Sequence, residues 1–222
     1  MDQSTWDLIL QSFPALLSGA IKGTIPLALV SFVVGLAIAL GVALLRLSKV
    51  RILSAAARVY VSIIRGTPLL VQLFIIFYGL PSIGILVPAW PSAAIAFSLN
   101  VGGYAAEVIR AAILSVPRGQ WEAAYTIRMS PAQTLIRVIL PQAARVAVPP
   151  LSNTFISLVK DTSLASVITV TEMFRRAQEI AAFSREFMAI YIEAAFIYWI
   201  ICLALSTGQS ALERRLDRHV AN

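Results

Sequence analysis

The chain has 222 residues, of which 59% are hydrophobic and only 13% charged, and its mean hydropathy is +0.82. Soluble domains carry about a quarter of their residues as charges, so a soluble fold is excluded. Eighteen Lys and Arg against eleven Asp and Glu leave +7, but these charges lie between long apolar runs, which argues against a nucleic-acid partner. The lone cysteine, Cys202, lies in an apolar run, so an intrachain disulfide and a multi-cysteine metal site are both ruled out.

The first seven residues hold Asp2 and Asp7 and no cation, and no small-residue cleavage pattern follows. A retained N-terminus is expected. Trp6, Ile9, Leu10, Phe13, Leu16 and Leu17 recur at helical spacing, which fits a short helix on the membrane surface or an early start of the first span. From Gly23 to Leu45 no charge occurs, enough at about 1.5 Å per residue to cross a core of roughly 30 Å. The charge-free stretch from Gly66 to Ala106 is too long for one crossing and is broken by Gly79, Pro81, Gly84, Pro88 and Pro91. It reads as two spans and a tight turn. A fourth candidate, Val146 to Thr171, carries Lys160 and Asp161, and a fifth runs from Tyr191 to Leu212. The expected architecture is all-α and single-domain over 1–222, with spans near 20–46, 56–80, 89–116, 142–170 and 188–212 and a loop over 117–141.

Loop charge orients these spans. One side collects Arg46, Lys49, Arg51, Arg58, Arg110, Arg118, Arg128, Arg137, Arg145, Arg214, Arg215 and Arg218, the other only Lys22, Arg175, Arg176 and Arg185. Twelve against four predicts an N-terminus outside and a C-terminus in the cytoplasm. No internal repeat is visible, which disfavours inverted-repeat carriers.

The loop from Ser115 to Arg145 is more structured than a connector. Gln120 to Ile127 suits a short helix on which Ala123 and Ala124 form a low surface, and Ser130-Pro131 supplies a cap and first turn for a second. On physical grounds this is either an interfacial amphipathic element or a partner-docking knob.

Glu122-Ala123-Ala124, followed at the expected distance by Leu140-Pro141, resembles the EAA loop of permease subunits in bacterial ABC importers. Arg65-Gly66-Thr67-Pro68-Leu69, Tyr104-Ala105-Ala106-Glu107 and Leu140 to Ile168, with Lys160-Asp161-Thr162-Ser163-Leu164, resemble the polar amino acid subfamily. The length, the Gln120-Trp121-Glu122 entry and the ending near Tyr198-Trp199 look closest to L-cystine permeases. The resemblance implies a type I importer fold in the bacterial cytoplasmic membrane, with Gly119, Glu122, Ala123, Ala124, Arg128, Leu140 and Pro141 coupling to a separate ATPase dimer. It also implies a periplasmic binding protein, a second permease subunit (itself or a homologue) and no cofactor in this chain, with ATP and Mg held by the ATPase. One position departs: the family has Gly six residues after the motif Glu, where this chain has Arg128. Either the bend takes another geometry here, or a strained one is tolerated for an added cationic contact.

Charges inside spans cost roughly 2.5 to 3.5 kcal/mol each on insertion scales and should face protein or water. An amino acid is a zwitterion and needs both signs from its site. Arg65 is the candidate for its carboxylate, supported by the hydroxyls of Thr162 and Ser163, while Asp161 and Glu107 are candidates for its ammonium. Lys160 is a possible partner for Asp161, and Gln72, Tyr78 and Asn153 are candidate wall residues. Pro68 predicts local unwinding beside a cavity. Glu193 reads as a residue snorkelling at the outer edge of span five, and His219 as solvated.

No Gly-x-x-x-x-Gly-Lys-Ser/Thr pattern occurs, so ATP hydrolysis is assigned to another chain and this one is not an enzyme. The rival reading is an ion-coupled secondary carrier, which leaves the EAA loop unexplained. Arginine, histidine and glutamine are the alternative substrates within the ABC class.

Overall fold

The computed structural model describes residues 3–217, and among them every regular element is helical. Arg218 and His219 lie outside the described residues. Helices satisfy their own backbone polar groups, the condition for a chain this apolar to sit in lipid.

The helix α1 (Gln3–Gly19) passes through a wider turn, Ala20–Thr24, directly into α2 (Ile25–Leu47). The continuous apolar helix Thr5–Leu47 has 43 residues, about 64 Å and twice the thickness of a hydrocarbon core. No break separates a surface helix from the first span, so the early start describes the chain better. Glycine permits the docking of this helix: a Cβ on Gly23 would lie 2.5 Å from the Thr171 carbonyl oxygen and one on Gly19 2.9 Å from the Met173 Cα.

Next come α3 (Arg51–Gly66) and α4 (Leu69–Phe74), the latter prolonged through Ile75–Gly79 and Leu80–Ile83. The two arms meet at 106°. Pro68 lacks a backbone donor and holds Thr67 extended (φ −122°, ψ 145°), so the helix stops where the sequence predicts unwinding. The centre of the molecule is α5 (Ala89–Ser115), whose Ala93, Ala96, Phe97 and Ala105 are fully buried. Small residues let α2 and α3 close on it: a Cβ on Gly102 would fall 2.6 Å from Ile38 and 2.7 Å from the Tyr60 hydroxyl, which donates to the Leu99 carbonyl at 2.7 Å.

A two-helix excursion, α6 (Arg118–Thr126) and α7 (Pro131–Thr134), leads through Leu135–Ile139 into α8 (Leu140–Asp161), which tightens into a 3₁₀ segment, Thr162–Ile168. The chain closes with α9 (Met173–Ser184) and α10 (Phe187–Asp217). By length and composition Thr5–Leu47, Ala89–Ser115 and Phe187–Arg215 can cross a membrane, and the α3–α4 pair, bent by 106°, adds a fourth when its two arms are counted as one broken span. The polar α8, carrying Gln142, Arg145, Asn153 and Lys160, is not among them.

Glu193 corrects its expected place. It is only 7% exposed, and Ser12 of α1 donates to its carboxylate at 2.5 Å. It ties α1 to α10 instead of snorkelling.

Candidate functional site

Where the α3–α4 break meets α5 and α8, a cavity of about 450 Å³ opens, lined by polar groups set among Leu69, Val101, Leu158 and Leu164, within the range of small-molecule sites. The break contributes Thr67 and Pro68, α5 contributes Asn100 and Tyr104, and α8 contributes Asn153, Thr154, Ser157 and Asp161. Asn100 stands eleven residues from the start of α5 and fifteen from its end, about 17 and 23 Å, which sets the cavity near the middle of that helix. Asn153, Ser157 and Asp161 recur every fourth residue, as do Asn100 and Tyr104, so two helical faces present their polar groups to one space.

The sequence-predicted residues divide around this cavity. Asp161 and Asn153 line it. Arg65 lies at its edge, its guanidinium carbon 5.4 Å from the ring centre of the lining Tyr104, a cation–π distance. Gln72 is buried behind the wall, donating to the carbonyls of Ile64 (2.8 Å) and Thr67 (3.1 Å) and accepting from Asn100 (3.2 Å). It thereby holds the broken turn against α5. Thr162 is buried with its hydroxyl on the Val159 carbonyl, and Ser163 bonds the Lys160 carbonyl and faces a second groove with Lys160, Tyr198 and Cys202. Lys160 and Asp161 form no ion pair, because adjacent helical residues point to different faces. Tyr78 lies outside the cavity, packed edge-on against Phe74 and Phe77.

Glu107 is also elsewhere. Its carboxylate forms ion pairs with Arg46 of α2 and Arg110 of α5, the latter at 3.1 Å. Two guanidiniums already neutralise it. Thr67, Asn100, Tyr104, Thr154 and Ser157 were not singled out as site residues from sequence, although the four-residue spacing of polar side chains in apolar helices is a signal that could have found several of them.

A second candidate surface is the α6–α7 loop. Ser130 caps α7 by accepting from the Gln133 backbone N–H, and the Gln133 side chain accepts from the Ser130 N–H, a complete capping box. Gly119, Glu122, Ala123 and Pro141 are exposed, and Leu140 is half-buried. The two alanines part company: Ala123 is exposed, whereas Ala124 is 3% exposed and shields the inner side of α6. Arg128 resolves the geometry of the bend. Its φ is +59°, and the Arg128 and Met129 N–H groups donate to the carbonyls of Tyr125 (2.9 Å) and Ala124 (3.1 Å), the two bonds of a Schellman cap. The left-handed bend persists without glycine, at about 1 to 2 kcal/mol.

Residues 31–218 match the family described as binding-protein-dependent transport system inner membrane component. The chain is 64% identical to the L-cystine transport system permease protein TcyB of Bacillus subtilis, over 97% of this chain and 93% of that one. It is 43% identical to the probable amino-acid ABC transporter permease protein YckA of the same organism, covering 96% and 94%. A crystal structure of an amino acid ABC transporter with histidines superposes with a TM-score of 0.87 at 36% identity, covering 93% of this chain and 96% of that one.

Proposed function

Because the chain belongs to the family of binding-protein-dependent transport system inner membrane components, we propose that it is the membrane-spanning subunit of an ATP-driven amino acid importer whose cargo is L-cystine. The observation that carries this reading is the cavity near the middle of α5, which joins a carboxylate, amides, hydroxyls and an edge guanidinium in a chain otherwise built to face lipid. Asp161 takes the ammonium of the amino acid, Arg65 its carboxylate, and Asn100, Asn153 and Ser157 the remaining hydrogen bonds. Gln72 keeps the Thr67–Pro68 break in register with this wall.

In this reading the subunit works in the bacterial cytoplasmic membrane. The chain crosses five times, with α8 as the polar crossing, its N-terminus outside and its C-terminus in the cytoplasm. A binding protein delivers substrate on the outer side, and a second permease subunit, identical or homologous, completes the path. ATP and its Mg belong to a separate ATPase dimer that seats the exposed face of α6, with Gly119, Glu122, Ala123 and the Leu140-Pro141 shoulder. The chain itself performs no chemistry and needs no cofactor of its own.

The test is uptake by the purified complex in proteoliposomes. ATP-dependent uptake of labelled cystine, competed weakly by arginine, histidine and glutamine, is the expected result. Uptake driven by an ion gradient without ATP identifies a secondary carrier instead, and preference for one of the other amino acids moves the substrate but keeps the class.

A further inference from the structure

Arg128 stands in the left-handed region, φ +59°, where glycine is at ease and a side chain with a Cβ is strained. Within the molecule the turn is held by backbone alone, the Arg128 and Met129 N–H groups on the Tyr125 and Ala124 carbonyls. The Arg128 side chain is exposed and makes no hydrogen bond or ion pair with any described residue; only its backbone N–H is engaged, on Tyr125. Its neighbours form a shallow concavity with Tyr125, Thr126 and Met129, and Tyr125 is 82% exposed. Arg128 also lies midway along the excursion in sequence, thirteen residues after Ser115 and twelve before Leu140, two residues beyond the end of α6. Because Arg128 directly follows the exposed α6 face that the importer reading gives to the ATPase, an acidic group on that protein surface is the partner taken for this cation.

We infer that Arg128 is a charge-reading contact: it forms an ion pair with a carboxylate of the ATPase subunit, beside the aromatic contact of Tyr125, and so helps to select which ATPase this permease accepts. This rests on the importer reading above and adds the chemistry of the partner. A guanidinium takes a carboxylate through two parallel hydrogen bonds, and the hydrogen-bonded Schellman turn presents this one to the outside of the loop.

The experiment measures binding of the ATPase subunit that supports uptake to the permease in nanodiscs, one set of phosphatidylcholine and one containing phosphatidylglycerol. Arg128→Gly removes the charge and relieves the backbone, Arg128→Ala removes the charge and keeps the strain, and Arg128→Lys keeps the charge. We expect Kd to rise about tenfold in both neutral variants, with a shallower salt dependence, and to return most of the way in Arg128→Lys. An unchanged Kd in Arg128→Gly overturns the inference, as does a loss confined to Arg128→Ala, which makes the backbone the cause, or one confined to phosphatidylglycerol discs, which makes the partner a lipid. If no ATPase subunit binds even the wild type, the importer reading itself falls.

Discussion

Asn100 on α5 donates an amide proton across 3.2 Å to Gln72 on α4, and Gln72 in turn holds the carbonyls that the Pro68 break leaves without helical partners. The wall of the cavity and the hinge of the bent α3–α4 pair are one hydrogen-bonded unit. Replacing Gln72 with Leu strands the buried Ile64 carbonyl, at about 1 to 3 kcal/mol, and takes its partner from the more exposed Thr67 carbonyl as well. The purified variant should melt several degrees lower and transport slowly; a wild-type melting curve would show that the break is held by other contacts.

For the substrate site we predict that Asp161→Asn and Arg65→Met, each close to volume-conserving, reduce uptake strongly while the complex still assembles. The ATPase rate should still respond to loaded binding protein. Asp161 lines the cavity directly, so its loss should raise the apparent KM for the amino acid. Wild-type uptake in both variants would mean that these charges are structural and that selectivity lies in the binding protein.

Glu107 should behave as a structural residue. In Glu107→Gln two partly buried guanidiniums, Arg46 and Arg110, lose their counter-charge. A destabilisation of about 1 to 3 kcal/mol is expected, between the values for exposed and buried pairs. Adding Arg46→Met should recover part of it in a double-mutant cycle. Additive losses would place Glu107's role outside this ion pair.

In the α6–α7 loop the two alanines should separate folding from docking. Ala124→Glu forces a carboxylate into the buried side of α6 and should unfold the loop, read as protease sensitivity of the permease alone. Ala123→Glu and Glu122→Lys leave the loop folded and should weaken ATPase association, because Ala123 and Glu122 face outward. Equal protease resistance in Ala123→Glu and Ala124→Glu would contradict the assignment of faces.

The topology is open to reporter fusions. A reporter after residue 222 should report cytoplasm, and one beside Phe183, which is 94% exposed in the last turn of α9, should report the outside. Identical compartments for the two sites are incompatible with five crossings.

What sequence alone determined is what depends on near neighbours along the chain. Apolar runs of span length require helices in lipid, Pro68 cannot continue a helix, and Ser130-Pro131 with Gln133 caps one, whatever the rest of the molecule does. The loop motif and the Arg65 and Lys160 segments likewise announced the importer family before any packing was known. Tertiary structure alone decided which faces meet. Ser12 reaches Glu193 across 181 positions, Arg46 takes Glu107 away from the cavity, and Ala124 turns inward while Ala123 stays out. These outcomes depend on how each helix is rotated about its axis, and a residue's rotation is set by glycine-permitted close approaches such as Gly102 against Ile38 and Tyr60. Hydropathy and spacing mark a helix and its polar groups, but a step of about 100° between neighbouring residues sends adjacent charges such as Lys160 and Asp161 into different environments that only the packed partners define.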